Sequence, residues 1–317
     1  MIRHKTTLLI GLSCLVIALA GCQSAGPSGL TAKAIVWPSL PENPRIQYVG
    51  ELHGDSDFAN EGGLLELLTG KDQGKRELVK PHGVCVDAEG VIYVTDPTAG
   101  KVLAWDLAKK ELREIGTGAG SSRIKKPLDL TISGVGNIYV SDSGDRDIKV
   151  FDRQGNFLFV IGQPGEMDNP TGMAVNDELK RLYVADSKAH AIKVFGLTGK
   201  KISEFGKRGS ADGEFNFPTN ICTDRVGKVY VTDMGNFRVQ IFTPEGKFLS
   251  TFGGIGNSFG QFSRPKGIAV DSEGHIYVVD AAFNNVQIFD QAGRLLLFFG
   301  DYGRDPGTFQ LPAGIWI

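Results

Sequence analysis

The sequence predicts an all-β propeller, and three observations carry that prediction. One phrase recurs along the 317 residues: PHGVCVDAEGVIYVTD from Pro81, PLDLTISGVGNIYVSD from Pro127, PTGMAVNDELKRLYVAD from Pro170, PTNICTDRVGKVYVTD from Pro218 and PKGIAVDSEGHIYVVD from Pro265, with a sixth copy opening at Pro312. The spacing is nearly constant at roughly 40–50 residues, the length of one propeller blade. Each copy consists of short β-branched and aromatic runs with the period-2 alternation of half-buried sheet. A blade of this size cannot bury both faces of its own sheet, so the copies must stack radially.

The elements follow in chain order. Arg3 and Lys5 precede an apolar run from Leu8 to Leu19, and Leu19-Ala20-Gly21 supplies small residues ahead of Cys22. That pattern marks a targeting segment rather than part of the fold. The apolar run is shorter than the roughly 20 residues a membrane span needs. Leu19-Ala20-Gly21-Cys22 resembles the bacterial lipobox. The resemblance implies that residues 1–21 are a lipoprotein signal peptide and that Cys22 becomes an acylated N-terminus. Gln23 in the next position implies an outer-membrane address in a cell with two membranes. Residues 22–43, rich in Ser, Gly and Pro, read as a flexible tether, and residues 44–317 as the propeller.

Upstream of the first copy, Ile46 to Leu52 reads as a strand, expected to serve as the outer strand of the last blade beside Ala313–Ile317. Leu64-Leu65-Glu66-Leu67-Leu68, between Gly62-Gly63 and Gly70, suits a short helix over one mouth of the ring. Within a copy four strands are legible. In the fifth, strand a is Gly267–Val270, strand b His275–Val279, strand c Val286–Phe289 and strand d Leu295–Phe299. The connections Asp271-Ser272-Glu273-Gly274 and Asp290-Gln291-Ala292-Gly293 carry the Asp and Gly that tight turns require. Gly116, Gly162, Gly206, Gly253 and Gly300 close strand d in successive copies. The Pro312 copy reaches only its first strand, so the sixth blade is expected to be incomplete at the C-terminus, with truncation the favoured reading.

The frame PxGIAVD, IYVVD, VQIFD and FG in the fifth copy is similar to the NHL repeat, over about Pro81 to the end. Asp233-Met234-Gly235-Asn236-Phe237-Arg238-Val239 comes nearest to that family's D-x-x-N-x-R-V stretch. Elsewhere the loop departs, with Phe283 and Asn285 after Asp280, and Ala189 and Ala191 after Asp186. The resemblance implies a six-bladed propeller with strand a of each blade on the central channel.

Several chemistries are disfavoured. Peptidyl-hydroxyglycine amidating lyases resemble the same scaffold and hold zinc with a His after the proline in three blades. Here those positions are His82, Leu128, Thr171, Thr219, Lys266 and Ala313. A catalytic zinc keeps three protein ligands, and one imidazole does not supply them, so no metal and no cofactor are expected. Gluconolactonases imply carboxylates and Asn around the channel, for which Asp129 and Asn220 are the candidates. Asp96, Asp142, Asp186, Asp233 and Asp280 end strand b in each copy and read as turn-capping acids rather than a catalytic ring. Neither a G-x-S-x-G elbow nor a phosphate-binding glycine loop follows a strand.

Cys14 leaves with the signal peptide; Cys85 and Cys222 occupy the same place in strand a of the first and fourth copies, on opposite sides of a six-bladed ring. A disulfide needs Cα atoms within about 7 Å, so both are expected to stay free. The formal charge is −2, and loss of Arg3 and Lys5 takes it to about −4. Lys109-Lys110, Lys125-Lys126, Lys180-Arg181 and Lys200-Lys201 are scattered. Nucleic-acid binding needs a concentrated basic footprint, so no nucleic-acid partner is expected.

The reading is a membrane-anchored, extracytoplasmic binding propeller of the bacterial cell envelope. Its partners are the membrane, through the lipid anchor, and a protein or peptide-like ligand. His82, Asp129, Thr171, Asn220, Arg238 and Lys266 are expected to gather on the channel-mouth face, their mixed charge favouring a polar ligand over a polyanion. No catalytic residue is assigned. The alternative is a metal-dependent propeller enzyme of amidating-lyase or gluconolactonase type. Gly213-Glu214-Phe215, Gly260-Gln261-Phe262 and Gly307-Thr308-Phe309 in the d-to-a loops are expected to provide Phe latches under the next blade.

Overall fold

The computed structural model describes residues 10–11, 34–39, 41–58 and 76–317. Cys22, most of the expected tether and the Leu64–Leu68 helix lie outside these residues.

Five antiparallel four-stranded blades follow one another in chain order. The first comprises β4 (Val84–Val86), β5 (Ile92–Asp96), β6 (Lys101–Asp106) and β7 (Glu111–Ile115). The second is β8 (Pro127–Ile132), β9 (Ile138–Asp142), β10 (Asp147–Phe151) and β11 (Phe157–Ile161). The third runs through β12 (Pro170–Asn176), β13 (Arg181–Asp186), β14 (Ala191–Gly196) and β15 (Lys201–Phe205). The fourth holds β16 (Pro218–Thr223), β17 (Val229–Asp233), β18 (Arg238–Phe242) and β19 (Phe248–Gly253). The fifth holds β20 (Pro265–Val270), β21 (Ile276–Asp280), β22 (Asn285–Phe289) and β23 (Leu295–Phe299). Burial falls outward as radial stacking requires: β21 is buried at every residue, whereas Leu296 and Phe298 of β23 face solvent.

Among the described residues the sixth sector is a partial strand set. Its first strand, β24 (Ile315–Trp316), pairs antiparallel with β1 (Ile10–Gly11). The upstream strand differs from its expectation. Only Ile46–Gln47 (β3) is extended in a ladder, and its partner is Val36–Trp37 (β2) rather than the Ala313 segment. The physical reason is that its two apolar anchors bury against different blades. Ile46 packs with Phe299 and Ile315, while Leu52 packs with Leu103, Trp105 and Leu112 of the first blade. The chain therefore covers the sector between blades five and one instead of completing one ladder.

The Phe latches are present, and the device is wider than the three Phe residues. Three positions before each proline stands Leu78, Ile124, Met167, Phe215, Phe262 or Phe309, each packed into a core cluster between neighbouring blades. Phe215 joins Ile192 and Val194 of blade three to Ile221 and Val231 of blade four. Isolated parallel bridges hold three of these loops in register: Arg208 to Phe215, Ile255 to Phe262, and Tyr302 to Phe309.

Cys85 and Cys222 are free thiols, Cys85 fully buried and Cys222 partly exposed. Burial pushes both thiols up, so neither is a ready nucleophile. Cys85 and Cys222 should both titrate with Ellman's reagent after denaturation without reductant, and Cys222 should react before Cys85 in the folded protein. Fewer than two would contradict the blade register.

Candidate functional site at the channel mouth

The mouth is built by the acids that end strand b. Asp96, Asp142 and Asp280 are fully buried. Each accepts backbone N–H bonds from its own b-to-c turn and from the residues that precede the blade's proline. Asp96 takes Val79 (2.6 Å) and Lys80 (3.0 Å), Asp142 takes Lys125 (2.7 Å) and Lys126 (2.9 Å), and Asp280 takes Ser263 (2.7 Å) and Arg264 (3.1 Å). The turn-capping reading holds, and these carboxylates are committed to backbone donors. Their indirect effect is to place Lys80, Lys126 and Arg264 at the entry to strand a.

The residue after each proline then forms the inner ring. Hydroxyls at the end of strand b tie this ring across blades: Thr95 to the Leu128 carbonyl (3.1 Å), Ser141 to that of Thr171 (2.7 Å) and Thr232 to that of Lys266 (2.7 Å). Close backbone approach also draws blades five, six and one together. Gly267 N–H donates to the Ala313 carbonyl at 2.9 Å, and a Cβ on Gly314 would lie 2.5 Å from the His82 carbonyl oxygen. Lys266 and His82 thus flank the small Ala313. His82 Nδ1–H donates to the Leu128 carbonyl at 2.7 Å. Burial, with Lys266 and Lys80 adding repulsion, pushes its imidazole down to about 4. Lys266 is lowered as well, by burial first and then by Arg264 and Lys80.

Asp129 and Asn220 stand one residue deeper, off this ring. They line a cavity of roughly 700 Å³, including its open end, that runs along the strand-a residues Leu130–Ile132, Met173–Val175, Ile221–Thr223, Ile268–Val270 and Ile315–Ile317. His82, Thr171 and Lys266 do not line it. Further space lies beside Asp224 and Asp271, so the void extends towards the a-to-b turns, away from the proline end.

Asp129 is buried and accepts from the Met173 N–H at 2.9 Å. Burial pushes its carboxyl up to about 7, against the hydrogen bonds from Met173 and Leu130. A raised folded pKa means that Asp129's contribution to stability is whole below its unfolded value near 3.8 and is lost as pH rises through about 7. His82 has the opposite sign: its contribution is present above 6.5 and lost as pH falls through about 4. From about pH 4 to 6.5 the two slopes oppose each other. Asp129→Asn should therefore unmask a stability that rises with pH in this window, by roughly 1.4 kcal/mol per unit. Urea unfolding at several pH values checks this, and identical slopes for wild type and variant would contradict it.

Arg238 is not brought to the mouth. Its Nε donates to Asp233 at 3.0 Å, and Nη2 donates to the Ala211 and Glu214 carbonyls at 2.8 and 2.9 Å. This guanidinium ties its blade to the preceding d-to-a loop. Of the charged residues expected at the mouth, Asp129 lines the channel cavity and Arg238 is held by Asp233 and the d-to-a loop. Lys80, Lys126 and Arg264 take their place, residues that the sequence reading passed over. The signal was the basic residue immediately before the proline in copies one, two and five.

Asn220 Oδ1 is occupied by the Ile221 N–H and Asp129 Oδ2 by that of Met173. Among the described residues no three His, Cys, Asp or Glu side chains are grouped to hold an ion.

Comparison with known proteins agrees with this architecture. Residues 219–296 match a family described as a 6-bladed beta-propeller, and residues 167–195 match the NHL repeat. A human E3 ubiquitin-protein ligase, NHLRC1, is 33% identical over 98 residues, covering 30% of this chain and 24% of that protein. The chain thus matches about a quarter of that relative's length. Among solved structures, a nidogen/laminin complex aligns with TM-score 0.60 at 18% identity, over 77% of this chain and 89% of that one. Virginiamycin B lyase from Staphylococcus aureus aligns at 0.55 and 18%, over 74% and 73%. A gluconolactonase from Xanthomonas campestris aligns at 0.51 and 18%, over 65% and 72%. At these identities the structural likeness is one of fold. The chain is an all-β propeller that carries NHL-repeat sequence, with five four-stranded blades and a partial sixth strand set among its described residues.

Proposed function

We propose that this propeller is an extracytoplasmic binding module, anchored to a bacterial outer membrane by acylated Cys22, that recognises a protein or peptide-like ligand on its channel-mouth face. The observation that carries the reading is the convergence of His82, Thr171 and Lys266 with Lys80 and Arg264 from three blades, all on backbone held by buried carboxylates and cross-blade hydroxyls. Such a rigid polar ring suits recognition. The nidogen/laminin complex, a propeller structure of the same fold that contains a protein partner, is in keeping with it. The lipobox pattern at Leu19–Cys22 supports the anchor.

A photo-crosslinking residue at Leu311, an exposed position just before the sixth-copy proline, tests the binding reading in intact cells. A discrete crosslinked partner is expected there, and none from the same residue at exposed Val226 on an a-to-b turn. Equal crosslinking at both positions, or at neither, would overturn the reading. Mass spectrometry of the membrane fraction should find Cys22 acylated, and cleavage elsewhere would remove the anchor. A stoichiometric divalent metal in the purified protein would instead favour the lyase or lactonase alternative.

A further inference from the structure

Basic side chains gather at the mouth where blades five, six and one meet, with Lys126 of blade two beyond them. Lys80, Lys126 and Arg264 are exposed and Lys266 is half-buried. None of the four side chains makes an ion pair or a hydrogen bond among the described residues. Elsewhere several basic residues are paired: Lys101 with Glu114, Lys125 with Asp145, Lys193 with Asp186, Arg294 with Asp290. The acids that end strand b in blades one and five, Asp96 and Asp280, are fully buried beneath backbone N–H groups. The charges that act on Lys266 are Arg264 and Lys80, and those that act on His82 are Lys266 and Lys80. Like charges held together without a counter-ion raise the free energy of the unliganded protein, and an arriving anion relieves that cost.

We infer that this sector of the mouth is an anion-binding site that takes a carboxylate of a peptide ligand, with Lys80, Arg264 and Lys266 as its cations. The inference rests on the proposed reading of the mouth as a peptide-binding face and names the group recognised there. The cluster is confined to one sector. Across the ring, the Thr171 hydroxyl donates to the Ala185 carbonyl (3.1 Å) and that of Thr219 bonds the Thr232 hydroxyl (3.0 Å), so this side is uncharged and keeps only hydroxyl acceptor capacity. A polyanion would instead need a basic stripe across the face. Two lysine ammonium groups and one guanidinium around a single group match a carboxylate through charge-assisted hydrogen bonds.

Calorimetric titration at low salt tests the inference with N-acetyl-trialanine as the free acid, the same peptide as its C-terminal amide, and N-acetyl-Ala-Glu-Ala amide. Saturable binding of at least one acid, with the neutral amide silent, is expected. Which acid binds more tightly distinguishes a terminal carboxylate from a side-chain one. Lys80→Gln/Arg264→Gln replaces two exposed side chains and should leave the fold intact, yet it should weaken the acid by at least roughly tenfold. Binding should also weaken as salt rises. Equal binding of acid and amide, unchanged affinity in the double variant, or tighter binding of oligouridylate than of either acid would overturn the inference. Acid binding without any crosslinked partner would sink the binding-module reading alone. A crosslinked partner at Leu311 with silent acids would sink this inference alone.

Discussion

Asp233→Ala should destabilise the protein by about 3–5 kcal/mol, the cost of removing one member of a buried ion pair. Asp233 is fully buried at the end of β17 and accepts from four different groups. These are the Asn216 backbone N–H (2.7 Å), Asn236 Nδ2 (2.8 Å), Arg238 Nε (3.0 Å) and Gln240 Nε2 (3.1 Å). Alanine would leave the Arg238 charge without a counter-ion and the loop before Pro218 without its anchor. The same loop carries Phe215, so the hydrophobic latch would loosen with the polar clamp. Asp233→Asn keeps the shape but loses the charge, and it should fall between alanine and wild type. Urea unfolding followed by tryptophan fluorescence measures both. A loss below about 1 kcal/mol for the alanine variant would show that water replaces the carboxylate without difficulty.

The second large effect is expected at Phe262→Ala, again about 3–5 kcal/mol, through lost burial plus the cavity left behind. Phe262 has no exposed surface and packs against Phe252 and Phe289 at ring-centroid distances of 6.5 and 5.7 Å. It also sits directly on Gly253, where φ is +94° and a Cβ would lie 2.5 Å from the Phe262 ring. Gly253→Ala alone should therefore destabilise for two reasons, the left-handed backbone and the clash with the ring. In the double variant the clash disappears and only the backbone strain remains. The two losses should then sum to less than expected, with a coupling of about 1 kcal/mol or more. Strict additivity would mean that the latch and the glycine act independently.

Much of this architecture was legible from the prolines, the Asp-Gly turns and the strand composition, because those signals are local. A proline opening strand a, an Asp closing strand b and a Gly closing strand d each answer a need of their own few residues, and repetition multiplied the signal. The Phe latches could be read for the same reason, being part of the repeated Gly-x-Phe phrase. Their equivalents Leu78, Ile124 and Met167 were missed because they share only position and apolarity, not residue type.

The site was legible only in part. His82, Thr171 and Lys266 could be placed by counting one residue from each proline, and their shared ring follows from radial symmetry. Whether a neighbouring charge faces that ring depends on where side chains find partners. Arg238 directly follows the b-to-c turn in sequence, yet the buried Asp233 and the carbonyls of Ala211 and Glu214 claim it. Asp129 is one residue from the ring, yet the strand pleat turns it into the channel, where burial keeps its carboxyl protonated to near-neutral pH.

The repeat, the blade order, the free cysteines and the partial sixth sector were thus in the chain's own text, because each depends on local turn chemistry and on period. The covering of the sixth sector by β2 and β3, the gathering of basic side chains at the mouth and the separation of mouth from cavity were decided in three dimensions. They depend on which of several available partners a side chain reaches once distant blades are packed together, and desolvation and hydrogen-bond geometry settle that choice only after the ring has formed.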